Sequence, residues 1–188
     1  MIVQNKDLKL EALKILEEAD VLFTQSEVET ALKQMAAEIT SVLADRNPLV
    51  LCMMTGAVVP AGIIIPMLEF PLEFDYVHLT RYRGETSGGK IEWIRKPGAG
   101  LNGRTILLVD DILDEGITLE ALIDECKKQQ AEKIYTAVLV DKQIGRPRTP
   151  ARADFTGLLV PNRYIFGYGM DYKGYLRNAP GIYAVRES

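Results

Sequence analysis

One stretch of the chain packs acids, a glycine and a hydroxyl at spacings that chemistry can use: Asp110, Asp111, Asp114, Glu115, Gly116, Ile117 and Thr118, directly after the apolar run Thr105 to Val109. The apolar run reads as a buried strand, which places the acids at its carboxyl end. Open α/β sheets bind their ligands on that side. Adjacent strand residues point to opposite faces. Asp110 and Asp111 can therefore meet different partners, such as a pair of sugar hydroxyls and the water shell of a cation. Asp114 to Thr118 then form a loop that enters a helix. The free N–H groups and the positive dipole end of that helix suit a phosphate. Gly116 lets backbone approach closely, and the Thr118 hydroxyl adds a donor. The same acids could instead cap the helix and solvate the loop.

The elements that must carry this stretch are legible in outline. Leu10, Leu13 and Leu16 recur at helical spacing near the amino terminus. Ser26 and Glu29 have capping-box spacing, ahead of an apolar stripe of Val28, Leu32, Met35, Ile39 and Val42. Leu49 to Met53 suits a strand buried on both faces. Thr55-Gly56 leads to a helix running toward Leu68, with Pro60 near its start and Pro66 ending or kinking it. Phe74 to Thr80 and Ile91 to Ile94 read as strands, separated by the polar, glycine-rich Arg81 to Lys90, a mobile loop. Gly98 to Gly103 is a turn. A helix over Leu119 to Gln130 and a buried strand over Lys133 to Val140 follow, and strand–helix–strand order predicts parallel strands. Weaker strand signals lie at Phe155 to Val160, Tyr164 to Tyr168 and Ile182 to Val185.

The chain has 188 residues, with 22 basic and 26 acidic side chains and a net charge of −4. Apolar residues make up 47% and charged residues 26%, an ordinary globular balance that argues against disorder, collagen or coiled coil. The expected organisation is a single α/β domain over residues 1–188. Cys52 and Cys126 match no metal-ligand spacing and read as buried thiols, which points to a reducing, cytoplasmic setting. No apolar run approaches the roughly 20 residues of a membrane span, and the amino terminus lacks a signal core, so no membrane partner is expected. The negative charge argues against a nucleic-acid partner, but local fields still permit an anionic substrate.

The string Ile106-Leu107-Leu108-Val109-Asp110-Asp111-Ile112-Leu113-Asp114-Glu115-Gly116-Ile117-Thr118 resembles the 5-phosphoribosyl 1-pyrophosphate (PRPP) signature of type I phosphoribosyltransferases. Further landmarks from about Leu49 to Arg177 are similar to the hypoxanthine–guanine branch of that family. Val140-Asp141-Lys142 resembles the strand end whose lysine contacts the exocyclic oxygen of a purine. Pro161 to Tyr172 resembles the purine-stacking and metal-binding segment. The resemblance implies a mainly parallel twisted sheet flanked by helices. A small hood would be built from the termini and the segment around 155–185. It implies transfer of a phosphoribosyl group to hypoxanthine, and to guanine, with Mg2+ present. In these terms Asp110 and Asp111 hold ribose hydroxyls and the magnesium shell. Asp114 is the catalytic acid that exchanges a proton with the purine ring. Glu115, Gly116, Ile117 and Thr118 complete the PRPP site. Thr55, Gly56 and Arg177 bind pyrophosphate. Lys142, Tyr164, Ile165 and Asp171 bind the purine, and the Asp171 carboxylate is also a metal ligand. Arg81 and Tyr82 belong to a loop that closes over the reaction. Relatives are commonly dimers or tetramers, so a homo-oligomer is expected.

Three positions depart from the pattern. Glu115 stands where the family has Thr or Ser facing the 5-phosphate, so its side chain is expected to turn outward. Replacing it with Thr is expected to lower the Michaelis constant for PRPP. Thr55 stands where relatives often carry Lys or Arg, and Arg81 where Ser is usual. Arg81 could supply the missing charge. Two other readings remain open: a nucleotide-sensing regulator of the same fold, and the same chemistry on xanthine or another base. Asp114 and the acidic net charge speak against the regulator.

Overall fold

The computed structural model describes residues 4–81, 91–98, 100–150 and 152–186. Along the chain, helix α1 (Gln4–Glu18) leads through strand β1 (Asp20–Thr24) into α2 (Gln25–Leu43). Strand β2 (Leu49–Met54), helix α3 (Val58–Ile64) and a 3-10 turn at Ile65–Met67 follow, then strands β3 (Glu73–Arg81) and β4 (Ile91–Arg95). The second half is β5 (Thr105–Leu113), α4 (Ile117–Lys128), β6 (Lys133–Gln143), β7 (Phe155–Pro161), β8 (Ile165–Phe166) and β9 (Gly181–Ala184).

Six strands form one sheet in the order β4-β3-β2-β5-β6-β7. Every neighbouring pair in it is parallel except β3 with β4. The chain leaves β2 toward β3 on one side, then returns to place β5 on the other side of β2, and β6 and β7 continue outward. Strand order therefore reverses between β2 and β5, and such switch points leave a crevice at the carboxyl ends of the strands. The central strands are apolar on both faces because helices cover the sheet. Val50, Leu51, Ile106, Leu107, Leu108, Val138, Leu139 and Val140 are fully buried. Each contributes about 1.5–3 kcal/mol by leaving water, which fixes the strand ends that carry the acids.

A second sheet, in the order β1-β9-β8, is small and antiparallel. It joins the amino-terminal part of the chain to the carboxyl-terminal part. Residues 155–161, assigned to the hood by the sequence, instead form the outer strand β7 of the main sheet.

Several local expectations shift. The box that caps α2 is Thr24 with Glu27, not Ser26 with Glu29: the Thr24 N–H donates to Glu27 at 2.8 Å, and the Glu27 N–H donates to the Thr24 hydroxyl at 3.4 Å. Helix α2 thus begins two residues earlier, directly after a β1 strand too short to signal itself. Helix α4 likewise starts at Ile117 rather than Leu119. Leu10 and Leu13 are solvent-exposed, so the leucine stripe of α1 is not a core face. Strand β5 does not stop at Val109. Its ladder with β2 ends at Cys52–Val109, but its ladder with β6 runs on to Leu113–Asp141. Backbone pairing with β6 holds polar residues in extended form where a hydrophobicity pattern cannot.

Candidate active site

A cleft of ≈ 280 Å³ opens at the switch point. Met53, Met54 and Gly56 line it from the end of β2, and Leu79 and Arg81 from β3. Asp110 to Leu119 line it from β5 and the start of α4, and Arg177 closes it from the carboxyl-terminal segment. Asp110, Asp111, Asp114, Glu115, Gly116, Ile117, Thr118, Gly56, Arg81 and Arg177 therefore share one cavity, although they come from four parts of the chain.

Asp110 and Asp111 are both buried, at 7% and 9% exposure. They lie within β5 rather than after it, and both line the same cleft. This differs from the expectation of separate partners on opposite faces. The reason is that β5 outruns β2, so its flank is open at this level. Burial and the adjacent Asp111 carboxylate raise Asp110 well above the ordinary carboxylate range. Burial also raises Asp111, opposed by its hydrogen bond with Asp110 and by the charge of Arg177. Two desolvated carboxylates side by side favour sharing a proton. A cation or hydroxyl donors would offset the second charge. Gly56 makes room for this pair: a Cβ there would lie 1.9 Å from Asp111 Oδ2. The Met54–Thr55 peptide before it is cis.

The turn into α4 behaves as its sequence predicts. Gly116 takes a left-handed backbone (φ 83°) and no side chain caps the helix. A Cβ on Gly116 would also sit 2.4 Å from the Thr149 carbonyl oxygen. The leading N–H groups of α4 are thus left without a side-chain cap at the cleft. Glu115 does not turn outward. Its carboxylate accepts from Arg81 on one oxygen and from Arg146 on the other, and these contacts, Arg81 first, hold it below the usual carboxylate range.

Beside the cleft, Lys142 Nζ donates to Asp114 Oδ2 at 2.9 Å. This contact joins the two side chains assigned to the purine's oxygen and to its ring proton. Beneath them lies Arg148, which the sequence reading missed. One of its nitrogens donates to the carbonyls of Leu113 at 3.0 Å, Asp114 at 2.9 Å and Lys142 at 2.6 Å. The other pairs with Asp141. Both side chains of that pair are only 7% exposed. Arg148 ties the end of β5 to the end of β6 and so fixes the spacing of Asp114 and Lys142. The only available signal was the basic run Arg146-Pro147-Arg148, whose partners are split between Asp141 and Lys142 just upstream and residues 113–115 more than thirty positions away.

The remaining predicted residues stand outside the cleft. Thr55 is exposed at its edge. Tyr164 is 51% exposed, edge-on to Tyr172 at 5.5 Å. Ile165 is buried in β8. Asp171 pairs with Arg177 at 2.7 Å and accepts the Gly174 N–H at 2.7 Å. Arg177 also donates to the Gly169 carbonyl at 2.6 Å. Gly169 packs so tightly that a Cβ would come 2.0 Å from the Gly56 carbonyl oxygen. Tyr82 lies outside the described residues, as does the rest of the loop expected to follow Arg81. Among the described residues, no three His, Cys, Asp or Glu side chains form a metal cage. The buried pair Asp110–Asp111 and the separate Asp171 instead suit a hard cation that takes one or two carboxylates and keeps other oxygen ligands.

A family model described as a phosphoribosyl transferase domain matches residues 18–173. The chain is 34% identical over 168 residues to the hypoxanthine-guanine-xanthine phosphoribosyltransferase of Tritrichomonas foetus, covering 89% of this chain and 92% of that protein. It is 34% identical over 163 residues to the hypoxanthine-guanine phosphoribosyltransferase of Bacillus subtilis (strain 168), covering 86% and 90%. A solved structure of a hypoxanthine-guanine-xanthine phosphoribosyltransferase superimposes with a TM-score of 0.76 at 31% identity, covering 91% of this chain and 97% of that one.

Proposed function

The chain belongs to the phosphoribosyl transferase family, and from that premise we propose that it is a purine-salvage enzyme. It joins hypoxanthine, and guanine, to PRPP, giving IMP or GMP and pyrophosphate. The observation that carries this reading is the contact of Lys142 with Asp114 at the rim of a cleft holding Asp110, Asp111 and the open amino end of α4.

Breaking the bond at the anomeric carbon builds positive charge on the ribose, and preorganised carboxylates stabilise it in a water-poor site. Asp110 and Asp111 stabilise that charge and bind the ribose hydroxyls. Asp114 exchanges a proton with the imidazole nitrogen of the purine. Lys142 donates to the exocyclic oxygen. An amino group at that position would leave the lysine without an acceptor, so adenine is rejected. Tyr164 stacks on the purine face, and the backbone of Ile165 and Asp171 reads the two-position. The free N–H groups of α4 and the Thr118 hydroxyl bind the 5-phosphate, while Thr55, Gly56 and Arg177 receive pyrophosphate. Asp171, with Asp110 and Asp111 nearby, would hold Mg2+, which when bound would supply charge neutralisation for pyrophosphate.

A homo-oligomer and a cytoplasmic location are part of this reading. Phe74 and Tyr76 on one face of β3, with Ile94 on β4, leave exposed apolar surface suited to a second copy, which sedimentation would test. Cys52 and Cys126 are buried free thiols, pushed by desolvation to about 11 and about 12, as suits a reducing compartment.

The direct test is incubation with PRPP, Mg2+ and each nucleobase in turn, with nucleotide formation measured. Product with hypoxanthine and none with adenine is expected. No product with any purine would overturn the reading.

A further inference from the structure

Glu115 is the residue by which this chain departs most sharply from the pattern of its phosphate turn. A carboxylate beside a phosphate site is unfavourable by simple repulsion, yet the structure does not leave it alone. It sits between two guanidinium groups, with Arg81 from the end of β3 on one oxygen and Arg146 from the segment after β6 on the other. Arg81 lines the same cleft as Gly116, Ile117 and Thr118. Arg146 lines an adjoining basin of ≈ 580 Å³ together with Lys142, Arg148 and Arg152. The trio carries one net positive charge at the mouth of the helix that faces the cleft.

Exposure decides what such a trio can do. The side chains of Arg81, Glu115 and Arg146 are 33%, 35% and 63% exposed. Ion pairs this open contribute little net stability. A phosphate dianion offers more oxygens and more charge than one carboxylate, and arginine binds it through paired charge-assisted hydrogen bonds. The two arginines can therefore exchange Glu115 for phosphate at small cost, whereas a buried pair such as Arg148–Asp141 could not. Glu115 stays ionised through the neutral range, because its arginine contacts lower its carboxyl.

We propose that Arg81 and Arg146 are phosphate-binding cations of this site and that Glu115 is their resident competitor, holding both until the 5-phosphate of the substrate displaces it. This rests on the transferase reading above. It differs from simple repulsion in one respect: removing the carboxylate should help binding only while the arginines are present.

That difference is measurable by calorimetric titration of PRPP, with Mg2+, into four proteins: the unaltered chain, Glu115→Gln, the double variant Arg81→Gln/Arg146→Gln, and the triple combination. Thermal denaturation checks that each is folded, which the solvent-exposed positions favour. Glu115→Gln should tighten PRPP by about two- to fivefold, the scale of one partly exposed charge contact. The double variant should weaken it by a similar factor or more, and the triple should match the double. Inorganic phosphate as probe should follow the same order. A gain from Glu115→Gln that persists in the triple variant, or an unchanged affinity in the double, would overturn the competitor role while leaving the transferase function standing. Failure of the unaltered chain to bind PRPP would overturn both.

Discussion

The two sides of the site are built in opposite ways. The side proposed for ribose and the 5-phosphate comes largely from one continuous strand–turn–helix, residues 105–128, whose strand is among the most deeply buried of the main sheet. The side proposed for the purine comes, apart from Lys142 at the end of β6, from the short strands β8 and β9 and the turns between them, which contact the amino-terminal part of the chain. Arg163 donates to Asp20 at 2.6 Å and to the Val185 carbonyl at 2.8 Å. Glu11 on α1 accepts from the Tyr172 hydroxyl and from Lys173, both at 2.7 Å. The first side is held by hydrophobic burial. The second also has a buried base, with Ile165, Phe166 and Ile182 at 5% exposure or less, but its outer turns and its exposed Tyr164 are tied down by polar contacts near solvent, each worth little alone.

The sharpest test of the contrast is Asp114→Asn. Loss of a positioned proton-transfer group should lower turnover by about 10²–10⁴-fold with PRPP affinity nearly unchanged, as single-turnover kinetics and calorimetry would show. Equal turnover would remove Asp114 from the chemistry. Arg148→Met comes next. It leaves the buried Asp141 carboxylate with only the Gln143 amide as donor and takes the guanidinium from three carbonyls, a loss of about 3–5 kcal/mol by denaturant unfolding. Arg148→Met with Asp141→Leu should recover part of that stability but not the discrimination of hypoxanthine from adenine, because the spacing of Lys142 and Asp114 stays unfixed. Gly56→Ala should cost about 1–3 kcal/mol through overpacking and weaken PRPP, since the new methyl must displace the Asp111 carboxylate. Normal PRPP binding there would show that Asp111 can move freely.

The smallest effects belong to the purine side. Asp20→Asn should slightly weaken hypoxanthine binding and leave PRPP unaffected. Its pH dependence has a definite sign. The hydrogen bond from Arg163 holds the Asp20 carboxyl below its ordinary range. The contact is therefore fully present above the unfolded carboxylate range and lost as pH falls through the lowered value. Melting temperatures of the unaltered chain and Asp20→Asn should differ at neutral pH and converge in acid. A constant difference would exclude Asp20 as the cause.

How much was legible in the residues varied with the range of the forces involved. The 105–118 stretch was legible because strand, turn and helix cap are local, and each residue type states its own need: apolar for burial, glycine for the left-handed turn, acids at the strand end. Capping of α2 was misplaced by two residues, since Thr24 and Ser26 offer the same chemistry and only the pairing of β1 with β9 selects Thr24. The leucines of α1 have a core-like spacing, yet the helix docks through Ala12 and Glu11 and leaves Leu10 and Leu13 in solvent.

By itself, then, the sequence determined the kind of site: a turn suited to phosphate and paired acids on a parallel α/β sheet, while the proton-exchanging role of Asp114 is implied only by the family resemblance. The turn and the paired acids follow from composition and spacing within a few residues, where backbone geometry leaves few choices. Only the tertiary structure decided which charges meet. Glu115 with Arg81 and Arg146, Asp114 with Lys142, Asp141 with Arg148 and Asp171 with Arg177 are set by the crossing of β2, β5 and β6 and the return of the carboxyl-terminal segment. Electrostatic energy depends on distance through space and on burial, and neither is written in the order of residues along the chain.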